Sequence, residues 1–471
     1  MEIMKRKVIA AMLSTVMILS LVGCGGGSST QSDPDFVEDK FNVTVACQVE
    51  EGETTVMAAY EKAYEAAHPD VNIIVKDFGG HNLVTDYITA YASTPEKLPM
   101  VIWMEDTYFA EPAEGGYFVD LRKYYEKSEE TSYDLYYESM LHAASYNGVF
   151  KPLSEDESPE YGLYFAPRDY NKPTIVYNKK LMADLGVEIP DTSNGWSMEE
   201  FYNFLHTTND AIHAKASENR SYRGYRTIHL FSSWQPVWTT LFENLGTDGI
   251  VNGTELNLDS AKNTEILDEL YSEIMGYGVA EGKNYMMDTE DNFNSGTTCM
   301  TVVSRPIVVG QANQMGADSI DFLPFPGEKV AVGCSGYGIT TVHENEEQTV
   351  NGETRKAGDL AWDFIKFIIT QEGQEVAGET GLSVPVMKSL LADGAWTKWN
   401  AEQNLNHAAF LAGEDLMMQE LNHLEPNKRI KAREMINGFF SGNEVGEEGS
   451  KENRQERLDD LVKNFEEYMG M

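Results

Sequence analysis

Two pairs of carboxylates stand where a fold could put them to use. Glu105 and Asp106 directly follow the apolar run from Met100 to Met104, and Glu50 and Glu51 come shortly after the run from Phe41 to Cys47. Carboxylates so placed accept hydrogen bonds from hydroxyl groups, and two of them at a fixed separation are what a glycoside hydrolase requires. The thiol of Cys24 is a third reactive group, at the seam between an apolar stretch and the flexible run Gly25 to Ser29. Sharper catalytic signatures do not occur: the chain holds no GxSxG elbow, no HExxH and no Walker loop. The stretch DTEDNFNSG, residues 288–296, is rich in oxygen ligands but breaks the EF-hand spacing.

The elements that must position such groups follow from periodicity. Phe41, Val43 and Val45 alternate as in a strand, and Val56, Tyr60, Ala63, Tyr64 and Ala67 then recur on one face of a helix that His68-Pro69 ends. VNIIV, residues 71–75, reads as the next strand. Strand, helix, strand within so short a span predicts a βαβ unit and a parallel sheet. MVIWM, residues 100–104, is apolar on both faces, as a buried parallel strand is. Ligands of open α/β sheets lie beyond the carboxyl ends of the strands, where Glu51 and Asp106 fall. Further helices are expected after Ser197, with Glu200 completing a capping box, and around Leu360, Phe364, Phe367 and Ile368. Leu458, Leu461, Val462 and Phe465 predict an amphipathic terminal helix.

The front of the chain reads differently. Lys5, Arg6 and Lys7 precede sixteen uncharged residues, Val8 to Gly23, too few to span a bilayer and right for a secretory signal. Leu21-Val22-Gly23-Cys24 resembles the lipobox of bacterial lipoproteins, in which the cysteine sulfur takes a diacylglycerol and the chain is cut before it. Residues 1–23 are therefore expected to be a signal peptide and 24–40 a flexible linker that holds the body at the outer face of a bacterial cell membrane. The formal net charge is −40, and loss of Glu2, Lys5, Arg6 and Lys7 with the signal leaves −42. So acidic a chain repels polyphosphates, which excludes nucleic acid as a partner class. Cys47, Cys299 and Cys334 show neither CxxC spacing nor a disulfide framework and read as buried thiols.

The body, from about Phe41 onward, has the length of two lobes. Its segments, taken in order, resemble the extracellular solute-binding proteins of ATP-binding-cassette importers, in particular the carbohydrate-binding group that includes maltose-binding protein. YEKAYEAAHPDVNIIVKDFGG is similar to that family's first helix and second strand, and LPMVIWMED to its buried strand ending in an acid. YGLYFAPRDYNKPTIVYNKKL resembles its first crossing between lobes. FNSGTTCMTVVSRP resembles a strand of the second lobe, IDFLPFPG and GCSGYGIT the return crossing, and AWDFIKFIITQEGQEVAGETGLSVPVMKS the helix and turn that follow.

The resemblance implies an α/β fold of the type II periplasmic-binding-protein kind, a two-lobed flytrap with several hinge crossings. Lobe 1 is expected to comprise 41–169 with about 320–345, and lobe 2 about 170–319 with 346–471. It implies capture of a sugar or oligosaccharide between the lobes and delivery to an ABC importer, by a monomer that needs no cofactor, no metal and no catalytic residue. Ligand contacts are expected from Asp106, Asp169, Asn171, Trp234, Trp238, Arg305, Tyr337 and Glu51. Asn171 departs from the second acid that relatives often carry there, and Arg305 stands where many place a tryptophan. Trp103 is expected in the core, and Asp169→Ala is expected to weaken binding without unfolding the protein. The alternatives are a lipid-anchored glycoside hydrolase and a binding protein for a non-sugar solute such as a peptide.

Overall fold

Two sheets, each with its own helices, are joined by strands that run from one to the other. The computed structural model describes residues 35–48, 51–78, 84–252, 255–258 and 260–417, together with Ala432, Ile436 and Phe439. Cys24, the signal segment and the expected terminal helix lie outside the described residues.

The chain opens with strand β1 (Phe41–Cys47), helix α1 (Glu51–Ala67), strand β2 (Val71–Asp77) and strand β3 (Val101–Glu105). β1 pairs in parallel with both β2 and β3, with Phe41 opposite Val71 and Val45 opposite Val101, so the expected βαβ unit is present. β1 is more buried than alternation predicts: Asn42 and Ala46 are buried along with Phe41, Val43 and Val45. Both sides of the strand are buried, which removes the solvent side that alternation assumes.

Strand β4 (Ala166–Pro167) closes the first sheet, and β5 (Thr174–Asn178) begins the second. Helix α2 (Met198–Glu218) starts at Ser197, whose side chain accepts from the Glu200 N–H while Glu200 caps the Ser197 N–H. Strand β6 (Arg226–His229), helix α3 (Gln235–Asn244), strand β7 (Thr298–Val303), helix α4 (Arg305–Met315) and strands β8 (Ile320–Pro324) and β9 (Lys329–Val332) follow. The second sheet has the order β8-β5-β7-β6.

The chain then returns through strand β10 (Ser335–Ile339), which enters the first sheet antiparallel to β3 and β4 and gives it the order β2-β1-β3-β10-β4. A side chain is excluded at Gly336, where a Cβ would stand 1.9 Å from the Ala166 carbonyl oxygen. Helices α5 (Ala357–Ile369) and α6 (Gln371–Glu379) come next, and strand β11 (Glu414–Met417) goes back to pair with β9.

Packing corrects the expected lobe limits in two places. β8 belongs to the second sheet, with Ile320 opposite Asn178, so the return crossing lies at Gly333–Cys334 and not at 320. α5 belongs with the first core: Phe364 meets Tyr64 of α1 edge-on at 5.0 Å, and Leu360, Phe364 and Ile368 are buried with Phe41 and Val43. The helix itself is evident from spacing, but its partner lies three hundred residues away and no local pattern names it.

The crossings are tied to one another. Asn171 and Gly333 exchange both backbone bonds, at 2.9 and 2.8 Å. The buried Lys172 ammonium reaches the carbonyls of Ala412 and Gly413 and the Asp415 carboxylate, 2.7 Å away, so the first and third crossings are held as well.

Candidate functional site

A cleft of about 800 Å³ opens where the sheets face each other. From the first sheet it is lined by Gln48, Trp103, Glu105, Asp106, Thr107 and Tyr108, the residues at and just beyond the ends of β1 and β3. From the second it is lined by Phe231, Ser233, Trp234 and Gln235, which follow β6, and by Ser304 and Pro306, which follow β7. The crossings supply Asp169, Asn171, Gly333, Cys334 and Ser335 as its floor. These positions obey the rule that α/β ligands sit beyond the carboxyl ends of strands.

The first turns of α1 and α4 come close together here. Gly52 and Pro306 both line the cleft, and a Cβ on Gly52 would stand 3.5 Å from the Pro306 Cβ.

Asp106, Asp169, Asn171 and Trp234 are therefore brought together. Asp106 is half-buried; its backbone N–H donates to Cys334 at 3.2 Å and its carboxylate accepts from the Thr107 hydroxyl at 3.2 Å. Asp169 is buried and already engaged: its two oxygens accept from the Ser335 N–H at 2.6 Å and the Ser335 hydroxyl at 3.0 Å. Arg168 lies behind it, 3.4 Å away, and also pairs with Glu53. Burial works against the Arg168 charge, but Glu53 and Asp169 outweigh it and hold the guanidinium firmly protonated. Asp169 thus joins the first crossing to the return crossing, and its alanine variant is expected to loosen the hinge as well as the site. Asn171 is 9% exposed, and its Oδ1 has no hydrogen-bond partner.

Three expected contacts are corrected. Trp238 is 1% exposed and belongs to the second core. α3 starts at Gln235, so Trp238 falls on its buried face with Leu241 and Phe242, while Trp234, one residue before the helix, escapes into the cleft. Tyr337 is 0% exposed, two residues deeper in β10 than the cleft-lining Ser335. Arg305 is also 0% exposed and turns away from the cleft that its neighbours Ser304 and Pro306 line. Its guanidinium donates to the carbonyls of Gly381 at 2.6 Å and Trp396 at 3.3 Å, and lies 3.1 Å from His407 Nδ1. Its carbon is 5.0 Å from the ring centres of both Trp399 and Phe410. Burial among these rings lowers Arg305 to about 9. Glu51 is the first residue of α1; its side chain lies outside what is described.

Other residues lining the cleft escape sequence reasoning. Trp103 packs edge-on against Phe78 at 6.2 Å and is 4% exposed, as a core residue is, yet it also lines the cleft, and its indole N–H has no partner. Phe231 sits 6.0 Å from Trp234, ring centre to ring centre, at φ +47°. A bulky residue in the left-handed region is strained, and strain of this kind collects at functional sites. The available signal was its place just after β6, in front of the polar stretch Ser232-Ser233-Trp234-Gln235.

No metal cluster is found among the described residues. The oxygen-rich loop has a local explanation instead: the Asp288 carboxylate accepts from the backbone N–H groups of Glu290 and Asn292 and from the Thr298 hydroxyl. Cys47, Cys299 and Cys334 are buried and unbridged. Burial, with Glu53 adding to it, pushes Cys47 up to about 12, so it is no nucleophile at neutral pH. No helix among the described residues is long and apolar enough to cross a membrane.

Comparison with known proteins agrees with this architecture. The family model described as bacterial extracellular solute-binding protein matches residues 59–404. No curated protein matches the chain. The GacH receptor of Streptomyces glaucescens GLA.O, solved unliganded and with acarbose and an acarbose homolog, superposes with a TM-score of 0.64 at 16% identity, over 90% of this chain and 98% of its own. Maltose-bound MalE3 of T. maritima gives 0.62 at 12% identity, over 90% and 99%. UgpB of Mycobacterium tuberculosis, in complex with glycerophosphocholine, gives 0.63 at 15% identity, over 91% and 98%. The superpositions show the two-lobed fold, and identities so low leave the ligand to the residues of the cleft. With the family model covering most of its length and the fold in agreement, the chain belongs to the bacterial extracellular solute-binding proteins.

Proposed function

We propose that this protein captures a sugar or oligosaccharide in the cleft and delivers it unchanged to an ABC importer, tethered outside the membrane by a lipid on Cys24. The observation that carries the reading is the chemistry of the lining. Phe231, Trp234 and Tyr108 are aromatic residues of the kind that stack on the C–H faces of sugars, and Asp106, Asn171, Gln235 and Thr107 are polar residues of the kind that pair with hydroxyl groups. A cleft of about 800 Å³ falls within the range of small-ligand sites, about 300–1,000 Å³. The neighbours with acarbose and with maltose support a saccharide. The neighbour with glycerophosphocholine is the weaker guide, because a phosphate is most often met by Arg or Lys and the described lining contains no Lys, Arg or His.

Thermal unfolding against a sugar panel tests the reading. A bound sugar at a hundredfold excess over its Kd adds about 2.7 kcal/mol of stability, and chromatography should recover it intact. Sustained consumption of the sugar would make the protein a hydrolase; silence across the panel would point to another solute.

A further inference from the structure

We propose that Arg305 is a positioning residue for capture: its cage fixes two stretches of the cleft wall while His407 is neutral, and a proton on His407 releases them and weakens the hold on the ligand. This rests on the saccharide reading and adds a control of it by two residues outside the cleft lining.

Arg305 opens α4, which follows β7 of the second sheet, whereas the groups that hold it lie beyond α6, and Trp396 and Phe410 among them are buried in the first core. Nε donates to the carbonyl of Gly381, Nη2 to that of Trp396 and Nη1 to His407 Nδ1. One guanidinium thereby ties Ser304 and Pro306 to Thr380 and Leu382, and all four line the cleft. Gly381 has little room to absorb a shift: its φ is +77°, and a Cβ there would stand 2.3 Å from Trp399 Cδ1.

A single proton decides the arrangement at His407. Arg305 can only donate, so Nδ1 must accept, and Nε2 donates to the Trp399 carbonyl at 3.2 Å. A second proton would set N–H against N–H at 3.1 Å and place like charges side by side among the rings of Phe322, Trp396 and Trp399. Carboxylates on the packed elements are engaged elsewhere: Asp321 of β8 accepts from the Asn406 N–H at 2.8 Å and Glu375 of α6 from the Ala395 N–H at 2.6 Å. Glu372 and Glu379 of α6, and Asp393, Lys398 and Glu402 beside the ring's own segment, are exposed. The protonated pair therefore parts, Gly381 loses its donor, and the wall at 380–382 is freed.

The test is calorimetric titration of the whole protein with maltotetraose, cellotetraose and glucose between pH 7 and pH 4, in the wild type and in His407→Gln, which keeps a neutral acceptor. The two should agree at pH 7, and the wild type should bind about twofold more weakly at pH 4, where half of its His407 is protonated. His407→Arg, which carries its charge at any pH, should bind at least tenfold more weakly at pH 7; if that variant does not fold, the pH comparison decides. Parallel pH curves for wild type and His407→Gln, or a folded His407→Arg that binds as the wild type does, overturn the inference and leave the saccharide reading standing. If no sugar binds, the saccharide reading fails and hydrogen exchange without sugar decides the inference. At pH 4 the amides of residues 304–307 and 380–382 should then exchange faster in the wild type than in His407→Gln, and equal rates would overturn it.

Discussion

The Nε–H of Arg305 donates to the carbonyl oxygen of Gly381 at 2.6 Å, and the residues flanking both partners, Ser304 and Pro306 on one side and Thr380 and Leu382 on the other, line the cleft. A cation outside the ligand's reach thereby sets two stretches of the wall that the ligand meets. Arg305→Met should cost about 2–4 kcal/mol of stability, because the carbonyls of Gly381 and Trp396 lose their donor. Urea unfolding would register the loss. A variant of unchanged stability that had lost only binding would return Arg305 to the role of direct ligand contact.

His407 makes the same cage sensitive to acid. It accepts from Arg305 through Nδ1 and lies 3.2 Å from the Trp399 carbonyl through Nε2, an arrangement that requires the neutral ring. Burial, and after it the Arg305 charge, lowers its pKa from 6.5 to about 4. A lowered histidine gives stability that is full above pH 6.5 and declines as the pH falls toward 4, because the unfolded chain takes the proton first. The decline should amount to about 3 kcal/mol over that window. His407→Gln should flatten the slope of stability against pH there; an unaltered slope would refute the assignment.

Asp169→Ala should act on the hinge and the site together. It leaves the N–H of Ser335 unpaired and Arg168 with Glu53 alone, at a cost of about 1–3 kcal/mol. Asp169→Asn, which keeps an acceptor for Ser335, should recover part of that loss. Equal stability for wild type and alanine variant, by calorimetry, would show that the crossings do not depend on this carboxylate.

Phe231→Gly separates binding from folding. Glycine adopts φ +47° without strain, so stability should hold or rise, while loss of the ring should weaken a stacked ligand by about 1 kcal/mol. Unchanged affinity would remove Phe231 from the site.

The regular elements were legible because their signals are local. The Ser197 capping box, the run of residues 101–105 and the helical spacing of Leu360, Phe364 and Ile368 each act within a few residues. Asp106 was legible for a related reason, since the end of a strand is local and the rule about carboxyl ends supplies the rest. The misplaced residues depended on distant partners. Trp234 and Trp238 are separated by one turn's spacing, and only the point at which α3 starts decides which is buried. Arg305 finds its cage in residues 381–410, more than seventy positions on, and no pattern around Ser304-Arg305-Pro306 announces that cage.

The pair of backbone hydrogen bonds between Asn171 and Gly333 bears on how the protein can move. The first and return crossings are tied at this rung, and Lys172 ties the first to the third through the Gly413 carbonyl and the Asp415 carboxylate. Were the halves to approach one another, these ties would confine the motion to a swing, and the walls carrying Asp106 and Trp234 would meet a guest in one relative orientation.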